Sequence, residues 1–257
     1  MSYLFEDQQG VLRFTINRPH KHNAINGEVM KGLREAIQYA KQKSTSKLFV
    51  ITGAGEKSFC SGGDLSEFHA LRTEQEAHSM LSEMGEILYA LATLPMPTIA
   101  LVNGTAVGGG CEIATACDFR LVKHSAKAGF IQGSLAIITG WGGGTYLFER
   151  GLKQDDALKM LIEAKPIEAT QLKTIGWATE LYEEAHEQAL SNYIQHILAI
   201  HPSVHQAYKN VMLAKWHETN VQQRVQNEIR QCAILWEQEA HHEAVDRFLN
   251  RSKQSKR

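Results

Sequence analysis

An apolar run, Pro97-Thr98-Ile99-Ala100-Leu101-Val102, leads through Gly108-Gly109-Gly110-Cys111-Glu112 into Ile113-Ala114-Thr115-Ala116, and no other stretch constrains this chain as strongly. The first run reads as a buried strand and the last as the start of a helix, so the glycines fall at a strand-to-helix turn. Glycine lets an outside oxygen approach the backbone. The unpaired N–H groups of the first helical turn point at that oxygen, and the helix dipole favours negative charge there. A developing enolate suits such a turn. So does a plain tight turn in which Glu112 is merely a favourable acidic residue of the first helical turn, and this segment alone leaves both readings open.

A second segment has the same character. Lys47-Leu48-Phe49-Val50-Ile51-Thr52 is another short apolar and β-branched run, and it leads through Gly53-Ala54-Gly55 into Phe59-Cys60-Ser61-Gly62-Gly63-Asp64-Leu65. Two turns that both offer free amides can grip one oxygen from two sides, which is how tetrahedral and enolate intermediates are stabilised.

With these motifs the chain resembles the enoyl-CoA hydratase/isomerase (crotonase) superfamily. The resemblance begins at Asn17-Arg18-Pro19-His20-Lys21-His22-Asn23-Ala24 and runs through the segments at 59–65 and 103–112. It continues through Ala116-Cys117-Asp118-Phe119-Arg120 to Gly140-Trp141-Gly142-Gly143, covering most of the first two-thirds of the chain. It implies an α/β fold, a spiral of ββα units with a helical C-terminal region. We take residues 1–195 as the core with the acyl-CoA site and 196–257 as helices that make oligomer contacts, in a homotrimer or a dimer of trimers. It also implies a coenzyme A thioester as substrate, with the coenzyme part of the substrate and no separate cofactor. Carried over by position, the oxyanion-hole amides fall on Ser61 and Gly109. The backbone of Ser61, Gly62, Gly63 and Asp64 faces the adenine end of the coenzyme, and Lys21, Asn23 and Ala24 line its pantetheine or phosphate side. Trp141 either walls the acyl pocket or simply packs beside the glycines.

Glu112 takes the position of one of the two catalytic glutamates of the family's hydratases. One such carboxylate can activate water while the other exchanges the α-proton. The second position falls on Gln132, and an amide cannot serve as acid or base near neutral pH. Gln132 can still orient water or a substrate carboxylate. The chain therefore reads as a one-glutamate variant, most simply a hydratase-like enzyme on 2-enoyl-CoA or 3-hydroxyacyl-CoA. The alternatives are an enoyl-CoA isomerase, a decarboxylase of methylmalonyl- or ethylmalonyl-type thioesters, and, in another class, a noncatalytic protein that binds coenzyme A or RNA.

The 27 basic and 28 acidic residues nearly cancel, which gives no reason to expect nucleic acid or an anionic membrane as partner. The basic ending Arg251-Ser252-Lys253-Gln254-Ser255-Lys256-Arg257 is read as a solvated tail or as a group near coenzyme phosphates. Cys60, Cys111, Cys117 and Cys232 have no C-x-x-C spacing, and the first residues carry neither a signal core nor an Arg-rich transit pattern, so reduced thiols and a cytoplasmic location are expected. Twelve histidines without ligand spacing predict no metal. There is no H-E-x-x-H, G-x-S-x-G, P-loop or G-x-G-x-x-G.

Elsewhere the pattern predicts a half-buried strand at Leu12, Phe14 and Ile16, then a helix with Ile25, Val29, Leu33, Ile37 and Ala40. A second helix carries Met80, Met84, Ile87, Leu88, Leu91 and Leu94, ended by Pro95 and Pro97. Beyond about Asp155 the periods are mainly helical, with apolar sets around Ile194, Val225 and Val245.

Overall fold

The computed structural model describes residues 1–43 and 45–254, the last four of these by their backbone alone; the remainder of the basic ending lies outside the described residues. In chain order the elements are β1 (Tyr3–Gln8), β2 (Val11–Ile16), α1 (Gly27–Gln42), β3 (Leu48–Gly53), β4 (Ser58–Cys60), α2 (Leu65–Phe68) and α3 (Glu74–Ala92). Then come β5 (Thr98–Val102), β6 (Thr105–Val107), α4 (Gly109–Ala116), β7 (Phe119–Lys123), β8 (Lys127–Gly129), α5 (Gly143–Glu149) and α6 (Gln154–Glu163). The chain closes with β9 (Ile167–Glu168), α7 (Ala169–Thr174), β10 (Glu180–Tyr182), α8 (His186–Ala199), α9 (Pro202–Glu218), α10 (Val221–Trp236) and α11 (Glu239–Gln254).

From β3 to β8 successive strands alternate between two sheets. One has the order β1-β2-β3-β5-β7-β10, parallel except for the β1–β2 hairpin, and the other has the order β4-β6-β8-β9, parallel except at β8–β9. Each repeat thus supplies one long strand to the first sheet, one short strand to the second, and a helical segment: the spiral of ββα units that the resemblance implies. All six residues of β3 and all five of β5 are buried, as expected for parallel strands covered on both faces.

The helices begin where their side chains cap them. Asn26 accepts the Val29 amide at the start of α1, and at α3 Thr73 and Glu76 form a reciprocal capping box. The α3 face formed by Leu81, Met84, Ile87, Leu88 and Leu91 is buried, with Met80 only partly so.

One difference from the sequence reading matters for the site. The glycine turns do not follow β3 and β5 directly. Three-residue strands intervene, β4 before the first turn and β6 before the second, and these pair in parallel with Cys60 opposite Ala106. Pairing these two short strands, with an irregularity between Ser58 and Cys60, carries their two following turns to the same place, although about 45 residues separate them in sequence.

Candidate active site

The turns after β4 and β6 meet with almost no space between them. A Cβ added at Gly110 would lie 2.0 Å from the Cys60 carbonyl oxygen, and one at Gly62 would lie 3.0 Å from the Gly109 nitrogen. Gly62 and Gly108 also have φ of +95° and +56°, conformations that side chains disfavour, so the glycine-rich spelling of both turns is a packing requirement.

The accounting of amides in the first turn corrects one expectation. The Ser61 N–H donates to the His22 carbonyl at 3.1 Å, Gly62 N–H faces Cys60 Sγ at 3.4 Å, and Asp64 N–H donates to the Ile25 carbonyl at 2.8 Å. Only the Gly63 amide has no acceptor among the described residues. Gly109 N–H, at the first position of α4, likewise has none, because the first helical turn has no carbonyl behind it. The Gly63 amide is therefore left free for an outside oxygen, as are Gly109 and Gly110 on the first turn of α4, whereas the Ser61 amide is not.

Residues 22–25 brace this turn. His22 and Asn23 both take left-handed φ, near +51° and +57°, which swings the His22 carbonyl toward Ser61. Asn23 is fully buried; its Oδ1 accepts the Arg18 amide at 3.0 Å and its Nδ2 donates to the carbonyls of Ser58 (2.6 Å) and Ala54 (3.0 Å). Arg18 donates to the Ala24 carbonyl at 2.7 Å and to Asp64 Oδ2 at 2.8 Å, while Asp64 Oδ1 caps α2 through the Ser66 amide and hydroxyl. Burial opposes ionisation of Asp64, but the hydrogen bonds from Ser66 and Arg18 outweigh it and hold the carboxyl below its ordinary range. The side chains of Asn23 and Asp64 are thus fully engaged within the fold. Lys21 is exposed at the same edge.

Glu112, on the first turn of α4, is 2% exposed. Its Oε1 accepts from Gln132 Nε2 at 2.7 Å and from the Gly140 amide at 3.3 Å, and its Oε2 accepts the amides of Trp141 and Gly143, each at 2.8 Å. Burial, and then the negative charge of Glu228, raise its pKa to about 7, against the pull of the three amides. A carboxyl poised there can both take and give a proton near neutral pH. Gln132 is the neighbour that the sequence places at the second glutamate position. With Nε2 committed to Glu112, its buried Oε1 has no partner among the described residues. An unpaired buried acceptor costs about 1–3 kcal/mol. Such strain is relieved by a donor brought in from outside.

Trp141 completes the enclosure. It is 4% exposed, and its ring lies against both glycines: a Cβ on Gly109 would meet Cζ3 at 2.1 Å, and one on Gly63 would meet Cζ2 at 3.7 Å. Gln132, Glu112, Trp141, Gly63 and Gly109 therefore converge. Sequence reasoning missed Glu228, Thr139 and Thr145, which hold the turn carrying Trp141. Glu228 had a signal, since it is an acidic residue on the otherwise apolar side of α10 defined by Val225, Ile229 and Cys232.

All four cysteines are buried and free; burial pushes the Cys60 and Cys117 thiols up to about 12. Among the described residues no group of three or more His, Cys, Asp or Glu side chains could hold a metal ion, and no helix is long and apolar enough to cross a membrane.

Three comparisons bear on identity. Mouse ethylmalonyl-CoA decarboxylase is 30% identical over 247 residues, 94% of this chain and 76% of that protein. Human mitochondrial methylglutaconyl-CoA hydratase is 32% identical over 185 residues, 72% of this chain. This chain spans only 54% of the length of the human hydratase and 58% of the mouse one. The crystal structure of enoyl-CoA hydratase from Bacillus halodurans superposes with a TM-score of 0.87 over 96% of this chain and 99% of that one at 21% identity, which establishes the fold. The model of the enoyl-CoA hydratase/isomerase family matches residues 6–256, and the chain belongs to that family.

Proposed function

We propose that this protein acts on an acyl-CoA thioester, holding the thioester oxygen between the amides of Gly63 and Gly109 while Glu112 moves a proton at the α-carbon. The observation that carries the reading is the convergence of two acceptor-free amides on a buried carboxyl poised near neutrality. Lys21 and the backbone of residues 61–64 are the proposed coenzyme contacts, and Trp141 the wall of the acyl pocket.

Hydration of a 2-enoyl-CoA is the leading reaction. Water attacks the β-carbon, its proton passes to the Glu112 carboxylate, and the π electrons move onto the thioester oxygen as an enolate. Glu112 then returns the proton to the α-carbon. One carboxyl suffices, and the unpaired Gln132 Oε1 accepts the hydrogen that water keeps. A second reading, decarboxylation of a malonyl-type thioester, is favoured by Gln132 and by the likeness to ethylmalonyl-CoA decarboxylase. There the bond to the carboxylate breaks, its electrons form the same enolate, and protonated Glu112 supplies the α-proton.

The two reactions need opposite forms of Glu112. Hydration should rise as pH increases through about 7, and decarboxylation should fall over the same range. Turnover of crotonyl-CoA and of ethylmalonyl-CoA between pH 5.5 and 8.5, read by product chromatography, tests both. No turnover of either substrate refutes the reading.

The exposed stripe Val204, Tyr208 and Val211 on α9 supports a homotrimer or dimer of trimers built through the helical region, checked by light scattering. A cytoplasmic location is proposed on the reduced, buried thiols.

A further inference from the structure

Glu228 is half-buried, flanked on α10 by the buried Val225, Ile229 and Cys232, and its carboxylate reaches the turn at residues 139–145. Its Oε1 accepts from Thr139 Oγ1 at 2.5 Å and from the Gly144 amide at 2.9 Å, and its Oε2 accepts from the Thr145 amide at 2.8 Å and Oγ1 at 2.6 Å. The same turn gives the amides of Gly140, Trp141 and Gly143 to Glu112. Adjacent amides, at 143 and 144, therefore go to different carboxylates, one from α4 and one from α10. Gly143 has no room for a side chain, since a Cβ there would lie 2.4 Å from Glu112 Cγ, and at Gly144 a Cβ would press Thr139 Oγ1 at 3.0 Å and Glu228 Oε1 at 3.2 Å.

We propose that Glu228 is a positioning residue for Glu112: by binding both ends of the turn at residues 139–145, it holds in place the three amides that orient the reactive carboxyl. This rests on the role given to Glu112 above. All four hydrogen bonds of the Glu228 carboxylate among the described residues are made to the turn.

The arrangement also couples the two charges. The titratable groups facing Glu112 are Glu228 and Cys232 on α10, Cys111 beside it on α4, and Tyr146 on α5. Burial pushes both thiols and the phenol upward, so these stay neutral near pH 7. The buried cations Arg120 and Arg150 are directed elsewhere: Arg120 to the carbonyl of Cys117, and Arg150 to the carbonyl of Thr115 and to Asp118. Among these groups Glu228 alone brings a charge to bear on Glu112.

Glu228→Gln tests the proposal. Whichever way the amide is turned, its NH2 opposes the N–H of Gly144 or Thr145, so one anchor and the charge are lost together. Carboxyl-13C glutamate labelling gives the Glu112 titration by NMR, with its resonance assigned by loss in Glu112→Gln. We expect the wild-type inflection near 7 to fall by about one pH unit in Glu228→Gln, a tenfold change in the ratio of the two forms. We also expect kcat to fall at least about tenfold, with KM within about twofold, and Glu228→Asp, which keeps the charge, to recover part of the loss. A kcat that is unchanged, or one that Glu228→Asp does not partly restore, overturns the proposal whatever happens to Tm. If the wild type turns over neither substrate, the reading of the reaction fails, and the NMR titration still decides whether the carboxyls are coupled.

Discussion

Glu112 should make this protein less stable as the solution becomes more alkaline. An ordinary glutamate ionises at 4.5 and Glu112 in the fold at about 7, so the folded chain holds a proton that the unfolded chain releases. The stabilisation is fully present below 4.5 and is lost as pH rises to about 7, beyond which the contribution is flat. The gap is a factor of roughly 300 in ionisation, or about 3 kcal/mol, of which roughly 2 to 3 kcal/mol falls between pH 5 and pH 8. Glu112→Gln removes the titration. Gln at this position leaves an NH2 opposite N–H donors, a cost that is the same at both pH values and cancels in the difference. Urea denaturation of both proteins at pH 5 and pH 8, at one protein concentration, should show the wild type losing roughly 1 M more in midpoint over this interval. Equal losses would mean that Glu112 titrates as an ordinary carboxyl and that its burial does not control its proton.

Two further outcomes separate residues that sequence motifs treat alike. Gly63→Pro removes an N–H that has no acceptor among the described residues; with circular dichroism showing the fold kept against the Phe68 ring, 3.1 Å from a Cβ at this position, kcat should fall about 10²- to 10³-fold, and Ser61→Ala should retain near wild-type turnover because the Ser61 hydroxyl has no part in the proposed site. Asp118 binds the Lys209 ammonium at 2.8 Å through both oxygens and Arg150 at 3.2 Å; Asp118→Asn leaves a buried cation uncompensated and should cost about 3–5 kcal/mol of stability in urea.

The long elements were legible because their patterns are strong. β3 and β5 are continuous apolar runs, and the apolar sets of α1, α3 and α10 recur at helical spacing. The three-residue strands β4, β6 and β8 carry no period at all, so the sequence pointed to glycine turns without showing why they meet. The misplacement of the oxyanion amide has the same origin. Whether Ser61 or Gly63 keeps its N–H free depends on a carbonyl at His22, 39 residues upstream, turned by two left-handed residues. Glu112 and Gln132 were legible by position, yet the hydrogen bond between them and the amides behind Glu112 arise only when the turn at 139–145 folds back. Glu228 was hidden because a single acid on an apolar helix face has no motif, only a misfit.

The cradle proposed for the thioester oxygen is made of main chain. Mutation can replace any side chain but cannot delete an N–H except through proline, so the amides of Gly63 and Gly109 persist as long as β4 and β6 stay in register. The groups proposed to choose among reactions, at positions 112 and 132, are side chains on separate elements and can be exchanged by single codons. A lineage with this division of labour inherits the ability to make an enolate and is free to alter what becomes of it, which accords with the presence of both a hydratase and a decarboxylase among the relatives of this chain.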